Sequence, residues 1–165
     1  MTYAEFWYRA RKMASYLANK NIKANKLVGI YLDKSINQWI ILVAIWIIGS
    51  YYLPLDKRWS LPKLKKLLDD AQCDVIITEA EQEIYTYSSH INIDAIDFLE
   101  MPLAEITHHE AAYMIATSGS TGNPKLSIIT HAAFTNMAMA IKDILQTPSQ
   151  CRILQYSPLC LTHLL

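Results

Sequence analysis

Short apolar runs alternate with longer helix-like segments along most of the chain, and this alternation restricts the possible folds most strongly. Segments of strand length that are rich in apolar residues occur at residues 27–32, 51–55 and 74–78. The segment between the first two runs, from about Ile36 to Gly49, is apolar on nearly all sides, which is typical of a deeply buried helix. Strands that alternate with helices form parallel sheets whose faces the helices cover. We therefore predict an α/β fold with a mostly parallel sheet flanked by helices.

Capping residues predict where several of these helices begin and end. Thr2 and Glu5 form a capping-box pattern ahead of an amphipathic helix. Ser60 is predicted to cap the helix that carries Leu64, Leu67 and Leu68. Gly49 tolerates the left-handed backbone that commonly ends a helix, so we expect the apolar helix to stop there.

The second half of the chain has a weaker pattern before a clear one. Acidic and aliphatic residues interleave from 79 to 110 without a regular period, which favours short strands and loops. Strands are then predicted at 112–116, 127–130 and 152–156. Between the last two, apolar residues at helical spacing predict a helix; they are Phe134, Met137, Ile141 and Leu145.

Composition and charge exclude several classes of protein. The 165 residues suit one domain, here residues 1–165. The longest uninterrupted apolar run, Trp39 to Ile48, is ten residues long, whereas a membrane-spanning helix needs about 20. Residues 1–66 hold 12 Lys/Arg and 3 Asp/Glu, and residues 67–165 hold 3 and 12, but no groove-reading motif accompanies the basic half. We expect neither a membrane nor a nucleic acid as a partner.

Cysteine usage and the amino terminus indicate the compartment. The three cysteines, Cys73, Cys151 and Cys160, have no CxxC spacing, which argues against a disulfide framework and a cysteine-rich zinc site. The amino terminus lacks a basic stretch followed by an apolar one, which a secretory signal requires. We therefore expect a cytoplasmic protein.

One loop concentrates the residues that can bind phosphate. The chain has only four glycines, and two of them lie in Thr117-Ser118-Gly119-Ser120-Thr121-Gly122-Asn123-Pro124-Lys125. Glycines expose backbone N–H groups, hydroxyls donate to phosphate oxygens, and a lysine adds positive charge. The loop is not a Walker A motif, because Asn123 and Pro124 separate the last glycine from the lysine. Composition alone leaves a phosphate-binding loop and a flexible connector equally open.

The sequence from Tyr113 to His131, which contains this loop, resembles the signature motif of the adenylate-forming, AMP-binding superfamily. The resemblance extends upstream through Leu27-Val28-Gly29-Ile30 and Tyr52-Leu53-Pro54-Leu55-Asp56, which are similar to core motifs of nonribosomal peptide synthetase adenylation domains. Members of the superfamily, which includes acyl-CoA synthetases, activate a carboxylic or amino acid with ATP and Mg²⁺ to an acyl adenylate. They then pass the acyl group to CoA or to a carrier protein's phosphopantetheine.

The resemblance implies a nucleotide-binding role for the loop. The residues that inherit contact with the ATP phosphates are Thr117, Ser118, Gly119, Ser120, Thr121, Gly122 and Lys125. Two positions depart from the pattern, since Leu126 stands where the family usually has Gly and Ala116 where peptide synthetases usually place Tyr. If position 126 needs a positive φ, the leucine side chain strains or displaces the loop. Thr162 also replaces the Asp that pairs with a substrate amine in amino-acid-activating members.

The resemblance covers only the opening part of an adenylation domain. No glycine follows Gly122, so the family's later glycine-containing motifs and its carboxyl-terminal lid are not expected in these residues. We therefore interpret the chain as a truncated ligase domain that is inactive alone. Two alternatives are a non-catalytic nucleotide-binding or interaction remnant that needs a separately encoded partner, such as a complementing polypeptide or carrier protein, and a non-functional gene fragment.

Histidines give weaker signals. His108 and His109 are adjacent, so their side chains diverge in a regular element, and no third ligand follows at a recognisable spacing. His131 matches a histidine after the family's loop strand, and it also suits the first residue of a helix with a local hydrogen bond. We predict no metal site and assign no catalytic residue.

Overall fold

The computed structural model describes residues 1–73, 75–79, 89–92, 101–117 and 125–146 of the 165-residue chain. Helices and strands alternate over the first half, as predicted. The elements in chain order are α1 (Tyr3–Asn19), β1 (Leu27–Tyr31), α2 (Ile36–Ile47), β2 (Tyr51–Pro54), α3 (Leu61–Ala71), β3 (Val75–Thr78), β4 (Ser89–Asn92), β5 (Ala111–Thr117), β6 (Lys125–Thr130) and α4 (His131–Ile144).

The described strands form one sheet in the order β4-β3-β1-β2-β5-β6. All neighbouring strands are parallel except β5 and β6, which are antiparallel. The prediction of a mostly parallel sheet is therefore confirmed. The exception has a simple cause: seven residues separate β5 from β6, whereas a parallel connection needs about a dozen or more.

Two apolar clusters cover the two faces of this sheet. Val28 and Ile30 of β1 pack in the cluster that contains α1 and α2. Leu27 and Tyr31 of the same strand pack in the opposite cluster, which contains the leucines of α3. Every residue of β1 is buried, because alternate side chains point to opposite faces and both faces are covered.

The apolar segment predicted as a buried helix forms α2. Ile40, Ile41 and Ile45 are fully buried, because α2 lies in the cluster between the sheet and α1. Gly49 follows the helix with a φ of 72°, and an added Cβ would lie 2.8 Å from Thr107 Cγ2. The predicted glycine stop is confirmed.

The other predicted boundaries are mostly confirmed. Glu5 N–H donates to Thr2 Oγ1 at 3.2 Å, and Thr2 N–H donates to Glu5 Oε2 at 2.7 Å, so the capping box is present. Ser60 occupies the N-cap of α3, but its side chain makes no capping hydrogen bond and Pro62 lies in the first turn. The predicted N-cap position is confirmed, but the Ser60 hydroxyl accepts no hydrogen bond there, and Pro62 has no N–H to donate.

Residues 79–110, where the sequence predicted short strands and loops, contain the short strand β4. The strands predicted at 112–116 and 127–130 are each longer than predicted, and the predicted strand at 152–156 lies outside the described residues. Within the described part of the chain, no helix combines enough length and apolar character to cross a bilayer.

Candidate functional site

The β5–β6 hairpin brings together the two ends of the predicted phosphate-binding loop. Thr117 is the last residue of β5, Lys125 is the first of β6, and their Cα atoms are register partners. The Thr117 hydroxyl donates to the Lys125 carbonyl oxygen at 3.3 Å. The Lys125 side chain is exposed. Ser118, Gly119, Ser120, Thr121 and Gly122 lie outside the described residues.

Thr117 lies at the carboxyl edge of the parallel strands. Tyr52 of β2 and Tyr113 of β5 are parallel partners, so β5 ends at the same edge as β1, β2 and β3. Ligands of open α/β sheets bind at the carboxyl ends of the strands. The two described residues of the predicted site, Thr117 and Lys125, therefore lie at the edge where a ligand is expected.

The two departures from the family pattern are direct neighbours. Ala116 and Leu126 are cross-strand partners, one residue inward from Thr117 and Lys125. Both pack against the cluster that contains α3. The described residues with positive φ are Asn21, Asn25, Gly49, Gln72 and Gln146. Leu126 is not among them, so the backbone strain considered for this position does not occur. A small residue beside a large one instead lets both side chains fit on the same face of the sheet.

Charged residues that sequence reasoning did not assign as site residues also gather at this edge. Lys57, after β2, lies with its Nζ 3.0 Å from Asp33 Oδ2 and 3.6 Å from Glu79 Oε2. Asp33 follows β1 and Glu79 follows β3, and Asp33 N–H also donates to Glu79 Oε2 at 3.1 Å. These contacts join the segments after three strands. The sequence could have indicated these residues, because each of them comes shortly after a segment predicted as a strand.

Asp56 and Arg58 form a second ion pair at the same edge. The Asp56 side chain is 7 % exposed, and its Oδ2 lies 2.6 Å from Arg58 Nη2. Arg58 Nε donates to Oδ1 at 2.9 Å, and the Arg58 backbone N–H donates to the same oxygen at 2.9 Å. A bidentate pair of this kind holds both groups in one orientation. It therefore fixes the start of the segment between β2 and α3.

An aromatic cluster supports the strand that leads into the loop. The ring of Tyr113 in β5 stacks on Tyr52 with 5.7 Å between centroids, and Tyr52 lies 5.8 Å from Trp46. Trp46 Nε1–H donates to the Ala112 carbonyl oxygen at 2.7 Å. Burial raises the pKa of both tyrosine hydroxyls. Trp46 therefore packs against the sheet, and its hydrogen bond ties α2 to β5.

His131 begins α4 beside this cluster. Its backbone N–H donates to the Glu110 carbonyl oxygen at 2.9 Å, and its ring lies edge-on to Trp46 with 5.1 Å between centroids. Burial lowers the pKa of the His131 imidazole, and the nearby His109 lowers it further. His131 therefore begins a helix, as one interpretation held, but this backbone hydrogen bond reaches back to Glu110 in the segment before β5 and is not local.

The adjacent histidine pair belongs to the loop before β5. His109 Nδ1 accepts from Ala111 N–H at 3.1 Å, and its ring stacks on Tyr51. Among the described residues, no three His, Cys, Asp or Glu side chains are grouped closely enough to hold a metal ion.

The amino-acid sequence is similar to those of known proteins over almost its whole length. Residues 1–163 match the family described as AMP-binding enzyme. The chain is 30 % identical to chondramide synthase of Chondromyces crocatus over 168 residues, covering 96 % of this chain and 4 % of that protein. It is 28 % identical to gramicidin S synthase 1 of Brevibacillus brevis over 166 residues, covering 95 % of this chain and 15 % of that protein.

Solved structures show the same fold. The o-succinylbenzoate coenzyme A synthetase of Bacillus subtilis, in complex with ATP and a magnesium ion, superposes with a TM-score of 0.85 at 22 % identity. This match covers 96 % of this chain and 45 % of that one. A nonribosomal peptide synthetase bound to α-methyl-L-serine-AMP gives a TM-score of 0.84 at 23 % identity over 98 % of this chain and 18 % of its own. The chain thus spans less than half the length of each of these proteins.

Proposed function

The chain belongs to the AMP-binding enzyme family, and we propose that its segment from Thr117 to Lys125 binds the phosphates of magnesium-bound ATP. The observation that carries this proposal is the pairing of Thr117 with Lys125 at the carboxyl edge of the sheet. The pairing brings a hydroxyl residue and an exposed cation to the two ends of one loop. The residues between them, Ser118, Gly119, Ser120, Thr121 and Gly122, complete the proposed site.

The chemistry of these residues suits a polyphosphate. The Lys125 ammonium group offsets negative charge, and hydroxyl and backbone N–H groups donate to phosphate oxygens. The magnesium ion enters with ATP as part of the substrate. Such donors would stabilise the charge that develops when pyrophosphate leaves.

The reaction proposed for this site is formation of an acyl adenylate from a carboxylic or amino acid and ATP, followed by thioester formation on CoA or phosphopantetheine. Support comes from the family and from the resemblance to peptide synthetases. We further propose that this chain of 165 residues contributes nucleotide binding and does not complete the reaction alone. A complementing polypeptide or a carrier protein would then be its partner.

Replacement of the loop lysine tests the proposal. Lys125→Ala should weaken binding of magnesium-bound ATP about tenfold or more, because a charge-assisted contact to phosphate contributes roughly 1.5–3 kcal/mol. Isothermal titration calorimetry on the folded full chain measures this change. ATP–pyrophosphate exchange with a pool of amino and fatty acids, run on the same preparation, measures adenylate formation.

Lys23→Ala is the matched control, because Lys23 is an exposed lysine near the opposite, amino edge of β1. Equal loss of affinity in both variants would show that general charge, and not the loop, attracts ATP. Binding without exchange supports a nucleotide-binding chain that needs a partner. Exchange by the chain alone would overturn the proposal that it does not complete the reaction.

A further inference from the structure

The β5–β6 hairpin, whose strands the phosphate-binding segment connects, has little backbone pairing with the rest of the sheet. In the part of the chain that the structure describes, β1 pairs with β2 at four consecutive positions. By contrast, β5 pairs with β2 at one position, between Tyr113 and Tyr52. β6 pairs with β5 and is the last strand in the described order. The orientation of the hairpin against the sheet therefore depends strongly on side-chain contacts.

Trp46 of α2 makes such contacts at the base of the hairpin, where the chain enters β5 and leaves β6. Its Nε1–H donates to the carbonyl oxygen of Ala112, near the start of β5, at 2.7 Å. Its ring centroid lies 5.1 Å from that of His131 and 5.5 Å from that of Phe134, in the first turn of α4 directly after β6. One side chain thus contacts both ends of the hairpin.

Trp46 is itself held by a helix that is buried in the core. Ile45 and Ile47, its neighbours in α2, are both buried, and α2 packs in the cluster between the sheet and α1. The Trp46 ring also lies 5.8 Å from the ring of Tyr52 in β2. Trp46 therefore connects the hairpin both to α2 and to the neighbouring strand.

Contacts at the base control the position of the far end of the hairpin. Thr117 follows Ala112 by five residues, which span about 16 Å at ~3.3 Å per residue in a strand. A rotation of about 4° at the base moves the far end by about 1 Å, and a shift of this size is enough to weaken directed contacts with a ligand. Thr117 and Lys125 are register partners at that end, so both would move together.

We infer that Trp46 is a positioning residue for the proposed phosphate-binding site. Its indole N–H and its ring fix the base of the β5–β6 hairpin on α2, and the hairpin in turn places Thr117 and Lys125 for contact with the phosphates of ATP. The inference rests on the proposed function and adds to it a residue outside the segment from Thr117 to Lys125. Trp46 acts at the amino end of β5, so its effect on ATP passes through the hairpin.

Trp46→Phe tests the inference, because it keeps an aromatic ring and removes the N–H that the Ala112 carbonyl accepts. The variant should bind magnesium-bound ATP about three- to tenfold more weakly than the natural chain. Isothermal titration calorimetry on the full chain measures the affinity, at a temperature where circular dichroism shows that each protein is folded.

Ile45→Val is the matched control on the same helix. It removes one buried methyl group and lowers stability, but it leaves the hydrogen bond of Trp46 to Ala112 in place. Its affinity for magnesium-bound ATP should equal that of the natural chain. A loss of affinity equal to that of Trp46→Phe would show that any weakening of the core acts on ATP binding, and would overturn the inference.

Combination with Lys125→Ala distinguishes positioning from a general loss of folding. If Trp46 acts by placing Lys125, then Trp46→Phe should reduce ATP affinity by a smaller factor in the Lys125→Ala background than in the natural chain. Equal factors in the two backgrounds, or natural affinity in Trp46→Phe, would overturn the inference. If Lys125→Ala weakens binding no more than Lys23→Ala does, the proposed function fails instead, so the two failures are distinguishable.

Phe134→Leu is a second variant at the base of the hairpin, for use if Trp46→Phe does not fold. No residue of α4 is buried in the described structure, so this substitution should preserve folding. It removes the ring that lies 5.5 Å from Trp46 and 6.1 Å from Tyr113. ATP binding should weaken severalfold in the natural background and less in Lys125→Ala. Natural affinity in Phe134→Leu would contradict the inference as well.

Discussion

Ala116 and Leu126 make opposite changes at facing positions of one hairpin. The family pattern usually has a large residue at the first position and glycine at the second, whereas this chain has a small residue and leucine. Because the two residues are cross-strand partners, the exchange keeps one large side chain at this pair, on the face that packs against the cluster of α3. The two departures therefore compensate each other in packing. Neither one, taken alone, indicates that the loop binds phosphate less well.

The compensation predicts non-additive stability changes. Leu126→Gly should destabilise the chain by about 2–4 kcal/mol through lost packing and strand entropy. Ala116→Tyr should cost about 1–3 kcal/mol, because it overpacks against Leu126. In the double variant the tyrosine covers the glycine, so the combined cost should fall below the sum by about 0.5–3 kcal/mol. Urea unfolding of the four proteins measures this coupling, and additive costs would contradict the pairing argument.

At the start of α4, a local helix cap and contacts with distant residues hold the same short segment in place. Thr130 caps the helix through a hydrogen bond from Ala133 N–H at 3.1 Å, and His131 joins it to Glu110 and Trp46. The sequence predicted a helix here from apolar spacing. It could not predict the surroundings of His131, because Trp46 and His109 come from other parts of the chain.

These surroundings make folding depend on pH. Burial and His109 lower the pKa of His131 below its usual value of 6.5, so the unfolded chain binds the proton more readily than the folded one. Stability from this residue is complete above about pH 6.5 and falls as the pH decreases toward the folded pKa. His131→Gln should therefore flatten the decrease in unfolding free energy between about pH 7 and pH 5.

Urea unfolding across this pH range gives the comparison. His108→Gln is the control, because His108 is an exposed histidine in the preceding loop, and it should keep the slope of the natural chain. If the unfolding free energy of His131→Gln falls with decreasing pH as steeply as that of the natural chain, groups other than His131 cause the pH dependence.

At the scale of the molecule, the described part of the chain is a sheet between two apolar clusters, and α2 is buried in one of them. Ile45 is fully buried there, whereas Ile36 on the same helix is 51 % exposed. Ile45→Ala should reduce the free energy of unfolding by about 2–5 kcal/mol, because it leaves a cavity in the cluster. Ile36→Ala should change it by about 0.5 kcal/mol or less. Chemical denaturation measures both, and similar losses would show that α2 is not buried as described.

The sequence by itself determined most of the helices and strands, though not the place of β4, because apolar periodicity and capping residues act over a few neighbouring positions. It also identified the loop from Thr117 to Lys125, since its glycines and hydroxyl residues are consecutive. Only the tertiary structure decided that β1 lies between β3 and β2 and that β5 follows β2. Strand order depends on contacts between distant residues that no local pattern encodes. For this reason the pairing of Ala116 with Leu126 and the ion pairs of Lys57 emerged only from the folded chain.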